Sequence, residues 1–299
     1  MSDAVDRRRR IKPRGRIELR HTRALRGVTD EKALFSIPTR QAKPRTIGLT
    51  EVRGPYYTAL GKRYLEDLFE TMGEHIDSLK FAGGAFTLMP PPALRDIIRL
   101  AHSYRVRVST GGFIEYVVTR GPAAVRDYLK ACQVAGFDVI EISAGFISIP
   151  MADYIRLIKE VTGAGLNAKA EIGIQFGAGG ASRPEALEEQ GTQSVKWAIE
   201  RARRSLDAGA FQIMLESEGV TENVRTWRTD VPAKFATALG LEKIMFEAAD
   251  PEVFSWYVKN FGPDVDLFID HSQIVQLEAL RRGIWGMAEM WGRVARFAG

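Results

Sequence analysis

Eight times along the chain a β-type apolar run ends in a charged or small polar residue, and a helical stretch usually follows. The runs are 45-RTIGLTEVR-53, 76-IDSLKFAGG-84, 105-RVRVSTGG-112, 137-FDVIEISAG-145, 167-NAKAEIGIQ-175, 211-FQIMLESEG-219, 243-KIMFEAAD-250 and 265-VDLFIDHS-272. Most start about thirty residues apart, the length of one strand, one helix and two short connections. Eight such units are what a closed (β/α)8 TIM barrel needs, and the strand ends are where such barrels keep their chemistry. An open doubly wound sheet is the alternative. No Gly-x-Gly-x-x-Gly opens a helix near the start, and the strand count favours closure.

Apolar stripes at helical spacing predict helices over 62–76, 93–104, 122–135, 151–164, 192–208, 251–260 and 273–282, with a weaker segment at 230–240. Two connections break the regular spacing. Residues 176–193 form a long loop whose glycines, Gly177, Gly179 and Gly180, either present backbone N–H groups to a phosphate or only ease a turn. Residues 220–230, with two arginines and a tryptophan, are expected to cover the barrel mouth. The apolar residues of 284–299 predict a subunit contact or a helix closing the barrel base.

The chain has 299 residues, enough for one barrel of about 250 plus an extension. Its net charge of +5 is unevenly placed. Residues 1–46 carry 14 of the 42 Lys and Arg against 5 of the 37 Asp and Glu, which leaves 28 against 32 for the rest. We therefore divide the chain into a basic, flexible extension at 1–42 and a barrel domain at 43–299. The extension could contact nucleic acid, but no base-reading module follows, so nucleic-acid binding is not expected as the main function. No apolar run approaches the roughly 20 residues of a membrane span, and no apolar stretch follows the N-terminal arginines as in a secretory signal. The single cysteine, Cys132, reads as a buried structural thiol, and a cytoplasmic location is expected.

Strand alternation decides which polar residues face inward. Glu141 and Ser143 share a face of the fourth strand, and Lys169 and Glu171 share one of the fifth. The sixth strand offers Glu216, the seventh Glu247, and the eighth Asp270 with His271 opposite. Lys80 ends the second strand, and Arg45 and Arg53 bracket the first. Glu141, Glu171, Glu216 and Glu247, from four successive strands, would repel one another at a closed mouth. Either a hard dication such as Mg²⁺ relieves them, or Lys80, Lys169, Arg45 or Arg53 neutralise them as a structural network. His271 is either an acid/base group or a satisfied structural histidine. Ser–His–Asp spacing, a Cys-x-x-Cys pair, a His-x-x-x-His helix and a P-loop are all absent.

Over residues 43–286 the chain resembles the phosphosulfolactate synthase family, which includes plant heat-stress-associated proteins. The resemblance rests on 43-KPRTIGLT-50, 79-LKFAGGAF-86, 102-HSYRVRVSTGGFIEY-116, 136-GFDVIEISAGFISIP-150, 170-AEIG-173, 246-FEAA-249 and 277-LEALRRGIWG-286 taken in order. It implies Mg²⁺-dependent addition of sulfite to phosphoenolpyruvate. Sulfite attacks the methylene carbon, charge builds on the carboxylate, and a proton reaches the adjacent carbon from a positioned acid. The family follows its fifth-strand Glu-x-Gly with a lysine proposed as that acid, where this chain has Ile174. It favours Ser-Asp-Gly where this chain has 143-SAG-145, while 175-QFGAGG-180 and 270-DHSQIVQLE-278 look like the plant branch.

On this basis Glu141, Glu216, Glu247 and Asp270 are the expected Mg²⁺ ligands. Arg45, Lys80, Ser143 and the three loop glycines are expected to bind a small anionic substrate. Glu171 is expected to be catalytic, with His271, or the more deeply placed Lys169, replacing the acid. A homo-oligomer is expected, and no membrane partner. The alternative is a non-catalytic stress-associated or interaction protein on the same barrel.

Overall fold

A computed structural model describes residues 37–56, 58–179, 182–248 and 250–284. The basic extension up to residue 36 and the C-terminal stretch from 285 lie outside the described residues. Eight parallel strands close a barrel in sequence order: β1 Thr50–Arg53, β2 Ser78–Lys80, β3 Arg107–Ser109, β4 Val139–Ile142, β5 Asn167–Ile172, β6 Gln212–Leu215, β7 Ile244–Glu247 and β8 Asp266–Asp270. Each falls inside one of the eight runs. Closure is made by β1 against β8, with Thr50 opposite Leu267 and Arg53 opposite Asp270.

Helices alternate with the strands: α1 Lys62–Met72, α2 Pro91–Ser103, α3 Ile114–Val118, α4 Pro122–Ala135, α5 Met151–Gly163, α6 Pro184–Gln190, α7 Val195–Asp207, α8 Asp230–Leu239, α9 Pro251–Phe261 and α10 Ile274–Arg281. Proline stands in the first turn of α2, α4, α6 and α9, where its missing N–H costs nothing. Gly136 ends α4 in the left-handed conformation (φ 99°), and its N–H bonds back to the Cys132 and Gln133 carbonyls. In α2 the stripe Leu94, Ile97, Ile98 and Ala101 is buried as its spacing predicts. Cys132 is buried on α4, and burial pushes its thiol up to about 12. None of the described helices is long and apolar enough to cross a membrane.

The two long connections are both structured. The long connection after β5 contains α6, and an antiparallel bridge between Gln175 and Thr192 closes its base. In the connection after β6, Trp227 packs against the main core while Glu222 lines the cavity at the barrel mouth.

The core has two unequal parts. The large apolar cluster lies between strands and helices, while a separate cluster of Leu49, Met214, Met245 and Phe268 occupies positions that alternation turns inward. The interiors of such barrels are usually filled by layers of branched apolar side chains. Here much of the interior is ionic. Ser78 Oγ donates to Glu51 (2.8 Å), and Lys169 pairs with Glu51 and with Glu141 (3.0 Å). Each of these groups is almost fully buried. Because a buried unpaired charge costs several kcal/mol, each acid here requires the cation beside it.

Candidate active site

The ladder of alternating charge continues upward into a cavity of about 380 Å³ at the C-terminal ends of the strands. Lys80 Nζ lies 2.5 Å from Glu141 and 3.9 Å from Glu171. Burial alone would lower the Lys80 ammonium, but Glu141, Glu171 and Glu247 outweigh it and hold the group above its usual range. Burial likewise works against the Glu141 carboxylate, yet Lys169 and Lys80 hold it down at about 2. Beside Lys80 on the adjacent strand β1, Arg53 pairs with Glu247 at 2.9 Å. Phe268 lies beneath both cations, 4.2 Å from Lys80 Nζ and 5.3 Å from the Arg53 guanidinium carbon.

Glu141, Glu171, Glu216 and Glu247 all line this one cavity. Their charge is unequally compensated. Glu141 and Glu247 have close basic partners, whereas Glu171 has Lys80 only at 3.9 Å. Burial, and then Glu141, raise the Glu171 carboxyl well above its ordinary value. Burial, Glu247 and Glu171 do the same to Glu216, whose Oε1 accepts from the Ser217 and Glu218 amides. Six glutamates line the cavity against Lys80 and Arg53, the additional two being Glu115 and Glu222. Such an acid excess suits a dication. Among the described residues no three His, Cys, Asp or Glu side chains are arranged as a metal cage. A dication here would have at most two of these carboxylates as ligands, leaving its other positions to water or a substrate, as Mg²⁺ tolerates.

Several expected site residues are placed elsewhere. Arg45 precedes β1 and lies at the opposite end of the barrel, bonded to Asp77 (3.1 Å) and to the Glu74 carbonyl. It is a structural cation of the base, and Arg53, at the far end of the same strand, occupies the cavity. Asp270 has the inward parity of Phe268, but the chain turns there into a 3-10 turn. Its carboxylate caps that turn by accepting from the Ser272 amide (2.9 Å) and hydroxyl, and it does not line the cavity. His271 Nδ1 lies 3.0 Å from the Arg53 carbonyl, and its ring meets Tyr64 edge-on; neither contact turns it to the cavity lining. Lys169 sits below the floor between two carboxylates. Ile174 is fully buried in the main apolar cluster.

The glycine loop holds an anion, but it is the chain's own. Glu218 accepts from the Gly179 amide (2.9 Å) and from the Ser182 amide (2.7 Å) and hydroxyl (3.0 Å), so these donors are not open to a phosphate. Gly177 packs against Gln190, and Gly180 lies outside the described residues. Ser143 lines the cavity with its hydroxyl committed to Glu115 at 2.6 Å.

Glu115, on the short helix α3, is a residue the sequence reading passed over. Besides Ser143 it accepts from the amides of Gly145 (3.0 Å), Phe146 (2.8 Å) and Ile147 (3.2 Å), and so fixes the loop after β4. A five-residue helix gives no periodic signal from which to find it.

The (2R)-phospho-3-sulfolactate synthase (ComA) family matches residues 38–287. The chain is 38% identical over 252 residues to Protein HEAT-STRESS-ASSOCIATED 32 of Arabidopsis thaliana, covering 81% of this chain and 88% of that protein. It is 26% identical over 259 residues to the phosphosulfolactate synthase of Methanothermobacter thermautotrophicus, covering 84% and 95%. Among solved structures, the carboxyl transferase domain of Rhizobium etli pyruvate carboxylase with pyruvate and biocytin shares the fold. The TM-score is 0.55 at 14% identity, over 84% of this chain and 46% of that one. With the barrel closed, the strand-end glutamates gathered and nearly the whole described body matched, the chain belongs to the phosphosulfolactate synthase family.

Proposed function

We propose that this protein is a phosphosulfolactate synthase-like lyase. It adds sulfite, or a similar sulfur nucleophile, to phosphoenolpyruvate or a related small phosphorylated carboxylate, with Mg²⁺. The observation that carries this reading is the meeting of Glu171, Glu216 and Glu247 with Lys80 and Arg53 in one cavity at the strand ends. Lys80 and Arg53 face the phosphate and carboxylate of the substrate. Glu216 and Glu247 hold the Mg²⁺, and Glu247 is the carboxylate that acts most strongly on Glu216. When bound, the ion stabilises negative charge developing on the substrate carboxylate. Glu171 keeps a proton because of its burial and its acidic neighbours, and delivers it from its carboxyl to the carbon next to the one attacked. It thus takes the acid role that Ile174 cannot fill.

Calorimetric titration with Mg²⁺ and phosphoenolpyruvate, followed by a sulfite-addition assay, tests the proposal. Each ligand should bind more tightly in the presence of the other. Absence of binding by both would overturn it.

The apolar Ile174, where the family has a lysine, favours one competing reading, a non-catalytic protein built on the family barrel. It expects Mg²⁺ binding, if any, to be indifferent to phosphoenolpyruvate.

A further inference from the structure

One flank of the cavity has a chemistry that the proposed reaction does not use. The strand-end floor carries the charges, whereas the wall formed by α3 and the loop after β4 is apolar, with Phe113, Tyr116, Phe146 and Ile147 on the cavity surface. Tyr116 and Phe146 are 56% and 69% exposed. Large apolar side chains held open to water beside a pocket mark a place where a ligand lands.

This wall is fixed. The Glu115 carboxylate holds the amides of residues 145–147 from beneath. On the far side, a Cβ at Gly179 would stand 2.1 Å from the Phe146 ring, so the ring lies directly on the glycine backbone. Phe113 and Tyr116 add a tilted aromatic pair, ring centroids 5.4 Å apart, along the same wall. A buried carboxylate spent on presenting an exposed phenylalanine is a built feature of the site.

The electrophile does not need this wall. Its phosphate and carboxylate are both charged, and its methylene is the carbon attacked. With phosphoenolpyruvate as the electrophile, only the nucleophile has a substituent free to be apolar. We infer that the nucleophile is an organic sulfur acid with an apolar, ring-sized body, such as an aryl sulfinate, seated against Tyr116 and Phe146. The inference rests on the reaction proposed above. The sulfinate sulfur lone pair forms the S–C bond at the methylene carbon, and the C=C pair moves to the adjacent carbon. The Glu171 proton then closes that carbon, leaving an organosulfonyl phospholactate with no oxidant or reductant consumed.

Benzenesulfinate and methanesulfinate present the same nucleophilic sulfur with and without a ring. Titrated calorimetrically into the full chain, benzenesulfinate should bind about tenfold more tightly, the worth of one good aromatic contact. Phe146→Ala and Tyr116→Ala should each reduce that preference, and Phe146→Tyr should keep it. With Mg²⁺ and phosphoenolpyruvate present, benzenesulfinate should also be consumed in preference to sulfite. Equal affinity for the two sulfinates, or a preference that survives in both alanine variants, overturns the inference. Binding of Mg²⁺ and phosphoenolpyruvate without a ring preference leaves the proposed reaction standing and removes only the organic nucleophile. A ring preference without phosphoenolpyruvate binding removes the reaction and keeps the apolar subsite.

Discussion

Lys80 and Glu141 form a 2.5 Å ion pair across the barrel mouth, from β2 to β4, and both are almost fully buried. Glu141 has a second cation in Lys169, whereas Glu171 meets Lys80 only at 3.9 Å. Replacing Lys80 with methionine keeps the stem and removes the charge. Breaking a buried pair by removing one partner typically costs about 3–5 kcal/mol, and urea unfolding of Lys80→Met should show a loss of that order. Phosphoenolpyruvate binding should disappear with it. A loss below about 1 kcal/mol would mean that the ladder of charges does not hold the barrel interior together.

Glu171→Gln separates stability from chemistry. The amide fills the same volume without the charge that burial and Glu141 disfavour. The variant should abolish sulfite addition while keeping Mg²⁺ binding, and its thermal midpoint at pH 8 should equal or exceed the parent's. Retained turnover would remove Glu171 from the acid role.

The barrel was legible because parallel strands covered by helices leave a repeating signature of apolar run, polar end and amphipathic helix, and each of the eight runs holds a strand. The convergence of Glu141, Glu171, Glu216 and Glu247 was legible by alternation alone. Which acids were already paired was not. Pairing depends on contacts across the barrel, such as Lys169 to Glu51, between residues 118 positions apart. The choice of Arg45 over Arg53 failed for a simpler reason. Arg45 lies before the strand and Arg53 at its C-terminal end, the end that carries the site in such barrels. At Asp270 and in the glycine loop, local hydrogen bonds took precedence over alternation. A carboxylate at the start of a turn caps its own backbone, and Glu218 reached the loop amides first.

Asp266 gives the chain a pH signature. It is buried on β8, accepting from the Leu49 amide and from the Gln212 side chain, and burial raises its carboxyl to about 7. A folded-state value above the unfolded one, about 3.9, means that the folded protein holds the proton more tightly. The stabilisation is fully present below about pH 3.9 and is lost as pH rises through about 7. The parent should therefore lose stability relative to Asp266→Asn by on the order of 3 kcal/mol between pH 4 and 7.5. Urea midpoints of both proteins across that range provide the check, and parallel curves would place the Asp266 titration outside it.

Gly145 and Gly179 join the loops after β4 and β5 into one wall. A Cβ on Gly145 would stand 1.8 Å from the Ala178 carbonyl oxygen, a backbone atom that cannot swing aside, whereas a Cβ on Gly179 would first meet the tip of the Phe146 ring. The two alanine variants should therefore differ in kind. Gly145→Ala must part the loops, strain the Glu115 contacts to residues 145–147 and cost about 1–3 kcal/mol, the usual range for overpacking. Gly179→Ala should leave the unfolding midpoint nearly unchanged because an exposed ring can turn into solvent, yet it should move Phe146 off its seat. Thermal unfolding separates the first effect, and sulfinate titration reads the second as a weakened preference for benzenesulfinate. If the two variants unfold alike, the loops are not in backbone contact in solution and the wall yields at both glycines.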